Sequence, residues 1–195
     1  MRCALYPLIV LLLLPSLAWS QEDPKNPRRP ATAPIDAAAR PPRSGTSMMI
    51  TGQVIVGERA PDFELDGSEG HPVKLSRMRG DWVLLVFSDR KESPAELRGG
   101  YEDLARQGMK IVGVCNEKPG NLKSFAEKTA LPFVLLGDVT GEISAMYGLH
   151  DRLRSATLPG FVVIDRDGKV RMAMLGQQLP AEDIARLARF AMTQL

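Results

Sequence analysis

Few residues in this 195-residue chain could carry covalent or acid–base chemistry: Cys3 and Cys115, His71 and His150, and the carboxylates Glu92 and Glu96. Cys115 closes the apolar run Lys110-Ile111-Val112-Gly113-Val114-Cys115. Exposed and ionised, its thiolate would attack a peroxide or a disulfide. Packed inside, it would be a small inert hydrophobe. Both readings stay open at this point. Glu92 and Glu96 lie where a helix is expected to begin. That position stabilises ionised carboxylates and makes them poor proton donors near neutral pH, so capping and surface charge account for both. The two histidines are too few and too far apart for a metal site. Asp165-Arg166-Asp167-Gly168 lacks the later ligands of a calcium loop and reads as a hairpin turn. No glycine-rich phosphate loop is present, and neither cofactor nor metal is expected.

The elements that would position these residues are organised around Trp82-Val83-Leu84-Leu85-Val86-Phe87. Six consecutive apolar residues are too short for a stand-alone helix and predict a strand buried on both faces. A polar turn follows. Ser93 is expected as a helix N-cap, Pro94 as the first helical residue and Glu96 as the partner in a capping box. Gly99-Gly100 predicts a kink or a close approach within that helix, which ends near Gln107-Gly108. Before the central strand, residues 62–65 and 72–75 alternate like a hairpin. After it come a strand over 110–115, a helix over 121–129, a strand over 133–136 and a short helix over 141–147. Strands over 161–164 and 170–175 form a hairpin, and a closing helix over 180–192 has Ile184, Leu187, Ala188 and Ala191 inward.

Three stretches in order carry a resemblance. Gly57-Glu58-Arg59-Ala60-Pro61-Asp62-Phe63, then Val73-Lys74-Leu75-Ser76 followed by Gly80, resemble the entry to a redoxin domain. Thr157-Leu158-Pro159-Gly160-Phe161-Val162-Val163-Ile164-Asp165 resembles the stretch that holds the active-site cis-proline of the thioredoxin fold. Over roughly residues 52 to 192 the chain is similar to the AhpC/TSA (peroxiredoxin-like) group and to secreted thiol–disulfide oxidoreductases. The resemblance implies an α/β, thioredoxin-like fold: a central mixed β-sheet flanked by helices, with an N-terminal hairpin. It also implies a peptide groove at Thr157 and Pro159.

The same resemblance removes the nucleophile. The C-x-P-C motif of the thioredoxin-like members falls on Glu92-Ser93-Pro94-Ala95, and the T-P-G-C motif of the peroxiredoxins on Ser93-Pro94-Ala95-Glu96. The proline is kept and each cysteine is gone. A carboxylate cannot replace the thiolate in either reaction. Pro159 also stands about where peroxiredoxins place an arginine that polarises the peroxide; Arg154, nearby, could substitute for it.

Residues 1–20 carry an early arginine, a leucine-rich stretch and Ala18-Trp19-Ser20, and read as a cleavable signal peptide, with an N-terminal membrane anchor as the alternative. Residues 21–47, rich in Pro, Ala and Arg, read as a disordered linker. Residues 48–195 are the size of one domain and long enough to bury a core without staples. Cys115 would then be the one thiol left after processing, without an intramolecular partner. A formal net charge of +2 argues against nucleic acid as a partner. The expected protein is secreted or periplasmic, without stable membrane insertion, and has a degenerate active site. Two functions are open: a binding or scaffolding module taking a protein or peptide near Ser93 and Pro159, or an oxidoreductase acting through Cys115.

Overall fold

The computed structural model describes residues 54–193. The expected signal peptide (1–20), the linker (21–47) and the expected domain start at 48 lie outside them. A five-stranded sheet is the frame. Its strands are β3 (Trp82–Ser88), β4 (Met109–Cys115), β5 (Val134–Gly137), β8 (Gly160–Ile164) and β9 (Val170–Leu175). They lie side by side in the order β5-β4-β3-β8-β9. β3, β4 and β5 run parallel, while β8 is antiparallel to β3 and β9 to β8. A hairpin of β1 (Glu64–Asp66) and β2 (Pro72–Lys74) precedes the sheet, as the alternation predicted.

All seven residues of β3 are buried. Their alternation divides the core in two. Trp82, Leu84 and Val86, with Met109, Ile111 and Cys115 of β4, face the helical layer. That layer contains α2 (Tyr101–Arg106), α3 (Pro119–Thr129) and α5 (Ala181–Thr193), which contribute Leu104, Leu122, Ile184 and Ala188. Val83, Leu85 and Phe87, with Val112 and Val114, face Phe63, Leu75, Ile143 and Tyr147. Ile143 belongs to α4 (Glu142–Met146). Burying one such leucine or phenylalanine side chain is worth about 1.5–3 kcal/mol. The continuous apolar run is therefore the sequence trace of a strand covered on both sides.

The edge of β5 is protected by the loop after β1. Ser68 N–H donates to the Leu135 carbonyl at 2.8 Å, and the Leu135 N–H donates to Ser68 Oγ at 3.1 Å. Such pairing removes an open template for aggregation.

Four local expectations change. The helix expected from Ser93 to Gln107 is in three pieces: α1 (Glu92–Ala95), a 3-10 turn over Glu96–Gly100, and α2. The break lies at the two glycines, where Gly100 brings the turn against α5; a Cβ there would sit 3.5 Å from Ala185 Cβ. α3 starts two residues before its expected position because Pro119 fills its first turn, where a missing N–H costs nothing. A two-residue hairpin, β6 (His150–Asp151) with β7 (Ala156–Thr157), is absent from the sequence pattern; it is too short to show periodicity. The peptide bond before Pro159 is trans, as are all bonds among the described residues, so the cis-proline expected from the resemblance is corrected. The trans form is the intrinsically favoured one, by about 0.5–1 kcal/mol for X–Pro bonds.

Leu84 has no exposed surface and Leu153 is 92 % exposed. Leu84→Ala is expected to lower unfolding free energy by about 3 kcal/mol in urea titration. Leu153→Ala is expected to change it by less than about 0.5 kcal/mol.

Candidate functional site

Ser88 ends β3 beside Cys115, its register partner at the end of β4. The Ser88 hydroxyl accepts a hydrogen bond from the Arg90 N–H at 3.1 Å, which turns the chain into α1. That corrects the expected capping box. Helix α1 begins at Glu92, the N-cap position is Lys91, and no side chain caps it. Ser93 lies inside the first turn, its N–H donating to the Arg90 carbonyl at 3.2 Å. Pro94 is in the same turn, where backbone donors have no intrahelical acceptor and its lack of one is harmless. The Ser88 hydroxyl thus fixes the turn that leads into this helix, and the helix itself has no side-chain cap.

Pro94 is buried, and its seat is a glycine. A Cβ on Gly113 of β4 would stand 2.9 Å from Pro94 Cβ and 2.5 Å from Leu135 Cδ2. The bare backbone at Gly113 lets α1 lie on the sheet next to Cys115. A second tie holds the start of α1. Lys91 Nζ is 3.4 Å from Glu117 Oε2 and 5.8 Å from the centre of the Phe125 ring. Hydrogen bonds from the Asn121 side chain and the Lys118 N–H hold the Glu117 carboxyl below its ordinary range. The pair is partly exposed and is worth at most about 1 kcal/mol.

Beneath this cover Cys115 has no exposed surface. Burial, reinforced by the charges of Glu92, Glu117 and Asp89 and opposed by Lys91, pushes its thiol up from 9.0 to about 12. Of the expected groove residues, Ser93 and Pro159 come together, joined by Glu96 of the turn, while the buried Pro94 is not among the cleft walls. They line one cleft with Ser88, Gln177 and Gln178. Leu179 and Ile184 supply its apolar wall. Glu92 is exposed at the turn beyond the cleft, 3.9 Å from Arg90, and Ala95 is half-buried.

Thr157 does not reach the cleft. Its hydroxyl is 3.1 Å from Ser144 Oγ, which donates to the buried Asp138 carboxylate at 2.7 Å. Asp138 also accepts the N–H groups of Ile143 and Ser144 and so caps α4. A buried hydroxyl requires a partner, and this network supplies it. Arg154 is 83 % exposed and lies 3.7 Å from Asp151, away from the cleft walls. Asp165 binds its own turn through the N–H groups of Asp167 and Lys169 and through Arg171. His71 is exposed beside Glu69 at 3.0 Å, whereas the His150 ring packs on Gly141. Nothing in the sequence pattern marked Gln177 or Gln178 as part of the cleft. For Gly113 the one signal was a glycine interrupting the β-branched run of β4.

A parallel β-α-β unit joined to an antiparallel hairpin and a closing helix, with the cleft at the C-terminal end of β3, defines the thioredoxin-like fold. Residues 56–173 match the AhpC/TSA family. The chain is 31% identical over 162 residues to the chloroplastic peroxiredoxin Q of Oryza sativa subsp. japonica, covering 78% of this chain and 74% of the relative. It is 32% identical over 143 residues to the peroxiredoxin Q of Sedum lineare, covering 69% and 76%. Among solved structures it resembles peroxidoxin BcpB of Mycobacterium tuberculosis, with a TM-score of 0.62 at 24% identity, covering 71% of this chain and 96% of that one. AhpC of Enterococcus faecalis aligns with a TM-score of 0.65 at 16% identity, covering 72% and 93%. The chain belongs to the AhpC/TSA family.

Gly113→Ala is expected to destabilise the fold by about 1–3 kcal/mol, because Pro94 or Leu135 must move. Chemical denaturation measures that loss. The thiol gives a pH signature. Its folded value lies above the ordinary one, so the native state keeps a proton that the unfolded chain releases. The associated stability is intact below pH about 9 and falls by about 1.4 kcal/mol per unit as pH rises toward 12. Comparing wild type with Cys115→Ala by urea unfolding from neutral to alkaline pH is expected to show this added slope in the wild type between pH about 9 and 10, before the buried Tyr147 hydroxyl, also pushed up, contributes its own slope to both proteins.

Proposed function

We propose that this AhpC/TSA-family domain is a secreted binding module and not a thiol peroxidase. The observation that carries the reading is the covered sulfur of Cys115, with no exposed surface and a thiol pushed up to about 12. At neutral pH such a thiol keeps its proton, and its sulfur has no surface open to solvent. Cys115 is the one thiol among the described residues. The helix start beside it offers Glu92, Ser93, Pro94, Ala95 and Glu96, none of which can take up an oxygen atom from peroxide as sulfur does. What is retained is a small cleft with polar edges and an apolar wall beside Ser93 and Pro159, where the family resemblance sets a peptide groove.

The secreted location rests on the signal-like pattern of residues 1–20. No helix among the described residues is long and apolar enough to cross a membrane. The second reading, an antioxidant oxidoreductase or one-cysteine peroxidase using Cys115, is favoured by relatives named peroxiredoxin Q and by the place of Cys115 at the strand end beside Ser88.

One experiment on the full chain separates the two. Cys115 is expected to resist iodoacetamide at pH 7 until denaturant is added, and peroxide with a dithiol reductant is expected to persist at the uncatalysed rate. Rapid native alkylation, together with peroxide turnover abolished by Cys115→Ser, would establish the enzyme and end the binding-module reading.

A further inference from the structure

We propose that the first residues of β4 are a docking edge for one extended strand of a partner protein, apolar on one face and acidic on the other. The edge lies at the opposite end of the strand from Cys115 and is independent of the reading given to the cleft at Ser93 and Pro159. β4 pairs with β3 along its whole length, Met109 to Cys115. On its other side β5 reaches only from Val112 to Cys115. Met109, Lys110 and Ile111 therefore have a ladder partner on one side alone. The chain enters β5 through Pro132, which has no N–H with which to extend the ladder backwards.

Between this open edge and the residues that lead into β5 lies a single hollow of about 660 Å³, the size of a ligand site. Tyr101 and Phe133, stacked with ring centres 6.0 Å apart, wall it on the side of the helical layer. Val73 and Met78 wall it on the side of the hairpin. A strand laid along Met109 to Ile111 spans about 10 Å and points successive side chains at these two walls in turn. The backbone groups that β4 turns outward here would receive its ladder hydrogen bonds, as those further on receive β5. Lys110 is the kind of residue that guards an exposed edge, but its ammonium is held by Asp81 at 2.6 Å.

Charge selects the occupant. Lys74, Arg77 and Lys110 line the hollow against Glu69 and Asp81. Asp81 is taken by Lys110, and Glu69 lies 3.0 Å from His71. Lys74 is 4.0 Å from Asp62, which is not among the lining residues. Arg77 is exposed and has no carboxylate within ion-pair distance among the described residues. The balance at the hairpin wall is positive. The matching strand carries valine or a similar residue toward Tyr101 and Phe133, and aspartate or glutamate toward Arg77.

Titration of the isotope-labelled full chain with the end-capped pentapeptide Ser-Val-Glu-Val-Ser, followed by NMR, tests this. Amide shifts are expected to centre on Met109 to Val112, with slowed hydrogen exchange at the outward amides of that stretch. The same peptide with its central amides N-methylated is expected not to bind, because it cannot form a ladder. Ser-Val-Lys-Val-Ser is expected to bind about fivefold more weakly, the strength of one exposed ion pair. Arg77→Glu is expected to reverse the order of the two peptides with an unchanged melting temperature. Equal affinity of the acidic and basic peptides for the wild type would overturn the proposal. Undiminished binding of the N-methylated peptide would overturn it too, by showing a ligand held through side chains alone. Absence of shifts at Met109 to Val112 with millimolar peptide would do the same.

Discussion

Burial of β3 and β4 on both faces is the constraint from which the rest of the molecule follows. A strand with solvent on one side can alternate polar and apolar residues, but these two cannot. Trp82 to Phe87 must be apolar throughout, helices must close one face, and the hairpin with α4 must close the other. Only where the strands end, at Ser88 and Cys115, can polar chemistry begin. The site is therefore placed by the core before any catalytic requirement acts on it.

That placement brings a helix start against a strand end. In a thiol enzyme the helix N-terminus serves to lower the pKa of a sulfur nucleophile. Here the same position carries Glu92 and Glu96, whose negative charge already complements the helix start. The nearby sulfur is repelled by carboxylates and covered by apolar side chains, so its proton is held instead of released. Gly113 makes the cover possible. Removing one side chain from β4 lets Pro94 settle onto the sheet at Gly113, two residues before Cys115. One frame thus holds the sulfur's proton in place when the sulfur is buried in the sheet and carboxylates occupy the helix start.

Much of this was legible from local pattern. The hairpin around residues 66–70, the strand at 82–87, the closing helix with Ile184 and Ala188 inward, and the turn at Asp165–Gly168 all declare themselves through periodicity or turn chemistry between near neighbours. The meeting of Ser93 and Pro159 was also legible, through resemblance rather than spacing. Resemblance misplaced Thr157 for the same reason. A motif carries the residue's place in the chain, but the partner of its hydroxyl depends on Ser144 and Asp138, on elements whose contact no local pattern reveals.

The sequence by itself determined the two-sided strands, the order of elements, the family and the loss of both cysteine motifs. Each of these depends on residue type at a position or on spacing along the chain. The tertiary structure alone decided that Cys115 is sealed, that Ser88 rather than Ser93 turns the chain, that Pro159 is trans and that Gln177 and Gln178 complete the cleft. Those outcomes depend on which distant segments become neighbours. That is settled by packing across the sheet, where the absent side chain at Gly113 leaves the space that Pro94 and Leu135 occupy.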